Sequence, residues 1–221
     1  MTERDDKMGI GEYSCGVCKI HGCSKGEKEG LPKNCPTLDD ESLDEILKMY
    51  TGEELLRAQK AALVESEGYC QKTRVEEIMD FARKCGFTNL GVAFCTGLKK
   101  EMAIFHKILT AHGFTVTSVI CKNGSVAKKE FLHLKDQELV RPDTFEAMCN
   151  PIGQAVFLNK AMTELNILLG LCVGHDTLFI KHSEAPVTVL AVKDRVLGHN
   201  PVAALYMADG YYRKKLLPDE K

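Results

Sequence analysis

From Asn89 onward the chain alternates short, near-continuous apolar runs with amphipathic stretches, and this alternation constrains the fold more than any other feature of the sequence. The run "NLGVAFC" has no polar period, as expected of a parallel strand covered on both faces, and "LKKEMAIFHKILTAHG" carries Ile104, Phe105, Ile108 and Leu109 at helical spacing before Gly113 stops it. "TVTSVIC" reads as a second strand. "NILLGLC" reads as a third, behind a helix through "PIGQAVFLNKAMTEL", and "PVTVLAV" as a fourth, after "HDTLFIKHSEA". Connections of this length imply right-handed crossovers, so the expected fold class is α/β, with a doubly wound, mostly parallel, Rossmann-like sheet of about four strands. Upstream, Thr51 with Glu54 and Thr73 with Glu76 occupy capping-box positions ahead of two helices. The second helix has Val75, Ile78, Met79 and Ala82 on one stripe and Gly86 as its stop, while Cys70 and Cys85 near helix ends read as semi-buried packing thiols.

The setting follows from charge and cysteine content. A net charge of -2, with Lys and Arg scattered among acids, gives no basic face for nucleic acid. No apolar run approaches a membrane span, and the start "MTERDDKMGIGEY" is too polar for a signal peptide, so a cytoplasmic location is expected. In a chain of 221 residues without an export signal, ten cysteines point to metal ligands or reactive thiols rather than to a disulfide scaffold. The expected partners are a small-molecule substrate or a redox partner, and the sequence fixes no oligomeric state.

Four cysteines crowd the start of the chain, in "CGVCKIHGCSKGEKEGLPKNCP". This polar stretch has no periodic apolar face, so an ordering agent other than a core is needed. Cys15 and Cys18 on one tight turn, with Gly16 supplying backbone freedom, together with Cys23 and Cys35, make a four-sulfur set that suits zinc or an iron–sulfur cluster, with His21 as a spare ligand. Residues 1–38 are thus expected to form a cysteine-rich metal-binding segment, and 39–221 an α/β domain with N-terminal helices.

A second group arises from topology. Cys95, Cys121 and Cys172 each terminate an expected strand, and in a parallel sheet those ends share the edge where open α/β sheets bind ligands. "CNPIGQAVFLN" and "HNPVAALYMAD" each set a metal-competent side chain, Cys149 or His199, before an Asn-Pro helix start, with Asn150 and Asn200 as expected N-caps. A thiol there feels the positive end of the helix, which favours thiolate. "GLCVGHD" adds His175 and a capping Asp176 beyond Cys172, and "VKDRVLGHN" brings Lys193, Asp194 and Arg195 to the same edge as counter-charges or anion holders. Residues 122–148, before Cys149, are placed to form a lid.

The four-cysteine segment, "CNPIGQAVFLN", "GLCVGHD" and "VKDRVLGHNP" together resemble a family of uncharacterised metal-binding proteins, a domain of unknown function found in archaea and mostly anaerobic bacteria. The resemblance covers nearly the whole chain and implies metal binding, with no reaction attached. Three functions fit the residues. The first is an iron–sulfur or other thiolate-metal redox enzyme with Cys95, Cys121, Cys149 and Cys172 around a centre at the sheet edge. The second is a structural zinc knuckle on an enzyme whose nucleophile is Cys149 and whose base is His175 or His199. The third is a non-enzymatic metal or small-ligand binding protein or sensor.

Overall fold

The computed structural model describes residues 13–217. The chain separates into two compact units, residues 1–59 and 60–221. Residues 1–12 of the cysteine-rich segment lie outside the described residues. Its remainder winds through single-turn 3-10 helices at Cys15–Val17, Gly22–Lys25 and Pro36–Leu38 and then enters α1 (Asp40–Met49), whose first turn is capped by Asp39 accepting from the Ser42 N–H at 3.0 Å.

Helix α2 (Gly52–Gly68) leads to α3 (Arg74–Cys85). The Thr73 box is fully formed: its hydroxyl accepts from the Glu76 N–H at 3.4 Å and the Glu76 carboxylate accepts from the Thr73 N–H at 2.8 Å. At Thr51 the carbonyl, rather than the side chain, takes the Glu54 N–H, at 3.1 Å. Cys85 is half-buried as expected, but Cys70 is exposed, because it sits in a left-handed turn (φ 55°) just beyond α2 and points away from any packed face.

The sheet consists of β1 (Asn89–Phe94), β2 (Thr115–Ile120), β3 (Leu165–Leu171) and β4 (Val187–Val192), in spatial order β2-β1-β3-β4, with every pairing parallel. Between them run α4 (Lys99–Ala111), the short α5 (Lys128–Phe131), α6 (Pro151–Lys160) and α7 (His175–His182); α8 (Val202–Tyr206) and α9 (Arg213–Leu216) follow. This is the doubly wound, Rossmann-like arrangement, and its strand order reverses between β1 and β3.

Side-chain alternation builds the two cores. Leu90 and Val92 of β1 and Leu165, Ile167 and Leu169 of β3 face α3 and α4, where Ile78, Ala82, Phe105 and Leu109 cover them. Ala93 and Leu168 face the other way, against Ala155 and Leu158 of α6 and Phe179 of α7. Two expected caps fail. Helix α7 starts from Gly174 with no side-chain cap, Asp176 lying one position inside it, and α8 starts from Pro201, so neither Asp176 nor Asn200 caps. No helix among the described residues is long and apolar enough to cross a membrane.

Strand β1 meets β3 at an unusually close point. A Cβ on Gly91 would stand 2.0 Å from Oδ1 of Asn166, a fully buried amide that accepts from the Thr163 hydroxyl and donates to the Ser183 hydroxyl, each at 2.8 Å. Gly91→Ala is therefore expected to destabilise the fold by about 2 kcal/mol or more, through overpacking and a broken buried hydrogen-bond pair. Thermal unfolding checks this: a melting temperature equal to wild type would contradict the packing described.

Candidate functional site

The parallel register brings the first two strand-end cysteines together. Phe94 pairs with Ile120, so Cys95 and Cys121, the next residues on each strand, are lateral neighbours, and both are buried. The chain then returns to this point at the start of α6. The Asn150 N–H donates to the Cys121 carbonyl at 2.7 Å, which lays Cys149 beside Cys121.

A polar clasp holds this return in place. The Asn150 carboxamide oxygen accepts from the Gly153 N–H at 2.9 Å, with Pro151 at the first helical position. Asn123 donates to the carbonyls of Ile120 and Asn150, both at 2.9 Å, and accepts from the Asn150 amide at 3.1 Å. One turn into α6, the fully buried Gln154 amide donates to the Phe94 carbonyl at 3.1 Å and the Val119 carbonyl at 2.7 Å, tying the helix to the ends of β1 and β2 together. Gly153 is required by this geometry, since a Cβ there would lie 2.2 Å from Asn123 Oδ1 and 2.5 Å from Asn150 Nδ2.

The result is a line of three thiols with Cys121 hydrogen-bonded to Cys95 on one side and Cys149 on the other. Cys121, the central donor, is pushed up by its two neighbours and by burial, against a 3.3 Å hydrogen bond from the Thr96 N–H. The flanking thiols go the other way. Cys149 is drawn down to about 5, first by the Cys121 thiol and then by the positive charges of Lys122 and His175, with burial opposing. Cys95 is also drawn down to about 5, by Cys121, by the Gly97 N–H and by Lys193, again against burial. A central proton shared between two stabilised sulfurs is the electrostatic content of the site.

Cys172 stands on the same edge but outside this line. Strand β3 pairs Leu169 with Phe94, so Cys172 lies two residues farther along its strand than Cys95 does. Its Sγ accepts from Arg195 Nη2 at 3.1 Å, and its carbonyl takes the His175 N–H at 3.0 Å as α7 begins. His175, Cys149, Cys172 and Arg195 together line an open cavity of about 490 Å³. The cavity's opposite wall comes from residues 140–147, which Lys122 fastens by donating to the Ala147 carbonyl at 2.6 Å. The segment 122–148 thus lies over the sheet edge as an ordered loop with one helical turn and an Ala127–Ala147 bridge. His199 is not on this wall. Its Nδ1 accepts from the Asp194 N–H at 3.1 Å, within its own loop, while Asp194 Oδ1 accepts from Val196 and Leu197.

The N-terminal cysteines are arranged differently. Cys15, Cys18 and Cys35 line one small cavity with Ser14, Pro32 and Asn34, and Cys23 is exposed and is not among its walls. Cys18 is lowered by the backbone N–H groups of His21 and Ile20. The tight spot falls at Gly22, whose added Cβ would meet the Glu27 carbonyl at 2.6 Å, and His21 takes the left-handed conformation (φ 50°); Gly16 uses no such freedom. Sulfur donors suit zinc or iron–sulfur chemistry. Among the described residues, however, no three or more His, Cys, Asp or Glu side chains are gathered as a group able to hold a metal ion.

Lys122, Asn123, Gln154 and Arg141 are site residues that the strand-end argument does not reach. For Gln154 a signal exists: it is the only amide side chain in the otherwise apolar stretch "PIGQAVFL", and a polar residue on a helix stripe facing strand ends has backbone carbonyls to satisfy.

Fold and site together define an α/β protein with a thiol cluster at the carboxyl edge of a parallel sheet. Residues 35–190 match DUF1847, described as a protein of unknown function, and the chain belongs to that family. An uncharacterised protein of Methanocaldococcus jannaschii, MJ0455, is 45% identical over 204 residues, which cover 92% of this chain and 97% of that protein. No solved structure matches the chain. The family match contains Cys95, Cys121, Cys149, Cys172 and His175, begins at Cys35, and leaves Cys15, Cys18 and Cys23 before it and Arg195 and His199 after it.

The lowered Cys149 thiol sets a pH profile. Its thiolate is the reactive form, so alkylation by iodoacetamide is expected to be flat above about pH 6 and to fall as pH drops through about 5. Mass-spectrometric mapping of labelled Cys149 between pH 4 and 9 checks this; a midpoint in the ordinary thiol range, about 8.5, would contradict the described electrostatics.

Proposed function

We propose that the chain is a thiol redox enzyme whose working pair is Cys149 and Cys121. One observation carries the reading: Cys149 lines an open cavity, and the buried Cys121 thiol hydrogen-bonds it from beneath. A nucleophile facing substrate with a second thiol behind it is the arrangement that thiol–disulfide exchange requires.

The chemistry then runs as follows. The Cys149 thiolate attacks one sulfur of a small-molecule disulfide; the substrate S–S bond breaks, a mixed disulfide forms on Cys149, and the first thiolate leaves, taking a proton from solvent. Cys121 passes its proton toward Cys95, the thiol on its other side, and attacks the Cys149 sulfur. The second substrate thiolate is displaced as the Cys121–Cys149 bond closes. The protein dithiol loses two electrons, the substrate gains them, and an external dithiol reductant restores the starting state. Lys122 and His175 favour the Cys149 thiolate before it attacks and again when the reductant releases it.

A second reading starts from the sulfurs at this edge, although among the described residues no three or more are gathered as a group able to hold a metal ion. Cys95, Cys121, Cys149 and Cys172 would there hold a soft metal or an iron–sulfur cluster, which would supply electron transfer or Lewis acidity.

Two variants separate the readings. In the thiol reading, Cys149→Ser lowers disulfide turnover by about 10²-fold or more, and Cys121→Ser accumulates a mixed disulfide on Cys149 visible in the intact mass. Turnover unaffected by either change, or iron and sulfide in anaerobically purified protein that Cys121→Ser abolishes, would displace the thiol reading.

A further inference from the structure

The cavity above Cys149 has a charge imbalance that the chain as a whole lacks. Its walls carry Lys122, Lys128, Arg141 and Arg195 against one acid, Glu146, whereas the whole sequence has a net charge of -2. Pairing removes only one of these cations: Lys128 meets Glu146 at 2.7 Å. The second oxygen of Glu146 accepts from the backbone N–H groups of Val140 and Arg141, both at 3.0 Å, so it fixes the loop that carries Arg141 without touching the guanidinium. Lys122 donates to a neutral carbonyl and Arg195 to the Cys172 sulfur, so neither charge is matched by a carboxylate.

Thiolate stabilisation accounts for part of this surplus. Lys122 and His175 act on Cys149, and Arg195 bonds Cys172. Arg141 is different. It lines the cavity from the loop that Glu146 fixes and has no ion-pair partner among the described residues. Two guanidinium groups lining one cavity with a reactive sulfur can receive an oxyanion between them, since guanidinium matches carboxylate and phosphate geometry. The volume of about 490 Å³ suits a small molecule.

We infer that the cavity selects small disulfides bearing carboxylate or phosphate groups, with Arg141 and Arg195 receiving the anion while Cys149 meets the sulfur. This rests on the thiol redox reading and deepens it by naming the substrate class. The same wall charges leave a cationic substrate disfavoured, because neither the Arg141 nor the Arg195 guanidinium is matched by a carboxylate.

The test compares four small disulfides on the full chain at low ionic strength: 3,3′-dithiodipropionate (carboxylate), bis(2-phosphooxyethyl) disulfide (phosphate), bis(2-hydroxyethyl) disulfide (neutral) and cystamine (cationic). The expected kcat/KM is about tenfold higher for an anionic disulfide than for the neutral one, lower again for cystamine, and the gap narrows with added salt. Which of the two anionic probes reacts faster assigns carboxylate or phosphate. Arg141→Gln is expected to bring the anionic-to-neutral ratio close to one, through KM, and Arg141→Lys to restore part of it. Equal rates on anionic and neutral disulfides, or an unchanged ratio in Arg141→Gln, would overturn the substrate inference while leaving the thiol chemistry standing. Failure of all four to oxidise Cys149 would overturn both.

Discussion

The whole site depends on how the N-terminus of α6 is tied to the ends of β1 and β2. Gln154 satisfies carbonyls of both strands, Asn123 and Asn150 lock the turn, and the Asn150 N–H closes on Cys121. Each such bond is worth about 1 kcal/mol net, yet leaving any of these buried groups unpaired costs about 1–3 kcal/mol, so the clasp is held chiefly by the penalty for opening it. Its geometric product is one juxtaposition: a thiol from a loop delivered next to a thiol at a strand end.

That juxtaposition sets the electrostatics. Three sulfurs cannot all ionise at close quarters, so the buried central thiol keeps its proton and the outer two become the better anions, helped by Lys122 and His175 on one flank and Lys193 on the other. Only one of the outer pair faces the cavity. In the proposed chemistry that asymmetry would make Cys149, which lines the cavity, the thiol that meets substrate, with the buried Cys121 and Cys95 behind it.

The fold was legible because its signal is local. Apolar runs ending at Phe94, Ile120, Leu171 and Val192 are fully buried or edge strands whose burial requires just those residues, and helix stops at Gly86 and Gly113 need only a left-handed φ. Strand-end position was equally readable for Cys95 and Cys121. Cys172 likewise follows directly on its strand, but its level was not readable, since register between strands is a long-range property: β3 runs two residues past the level of Cys95, and its ladder to β4 shifts between Leu169 and Leu171, where Gly170 adopts φ 70°. His199 is not among the cavity's lining residues for a similar reason, its Nδ1 accepting from the Asp194 N–H in a loop whose path no periodicity reports. The Asn-Pro repeat was half informative: Asn150 caps a ten-residue helix anchored on strand ends, whereas Asn200 stands before Pro201, which precedes the five residues of α8 without a side-chain cap.

The most direct measurement of the central claim is disulfide mapping after mild oxidation of the native protein, with free thiols alkylated before digestion. The account predicts a peptide pair joining Cys121 to Cys149 as the first edge disulfide to form, reversible by dithiol. Oxidation confined to Cys15, Cys18, Cys23 and Cys35, with Cys121 and Cys149 recovered separately alkylated, would contradict it.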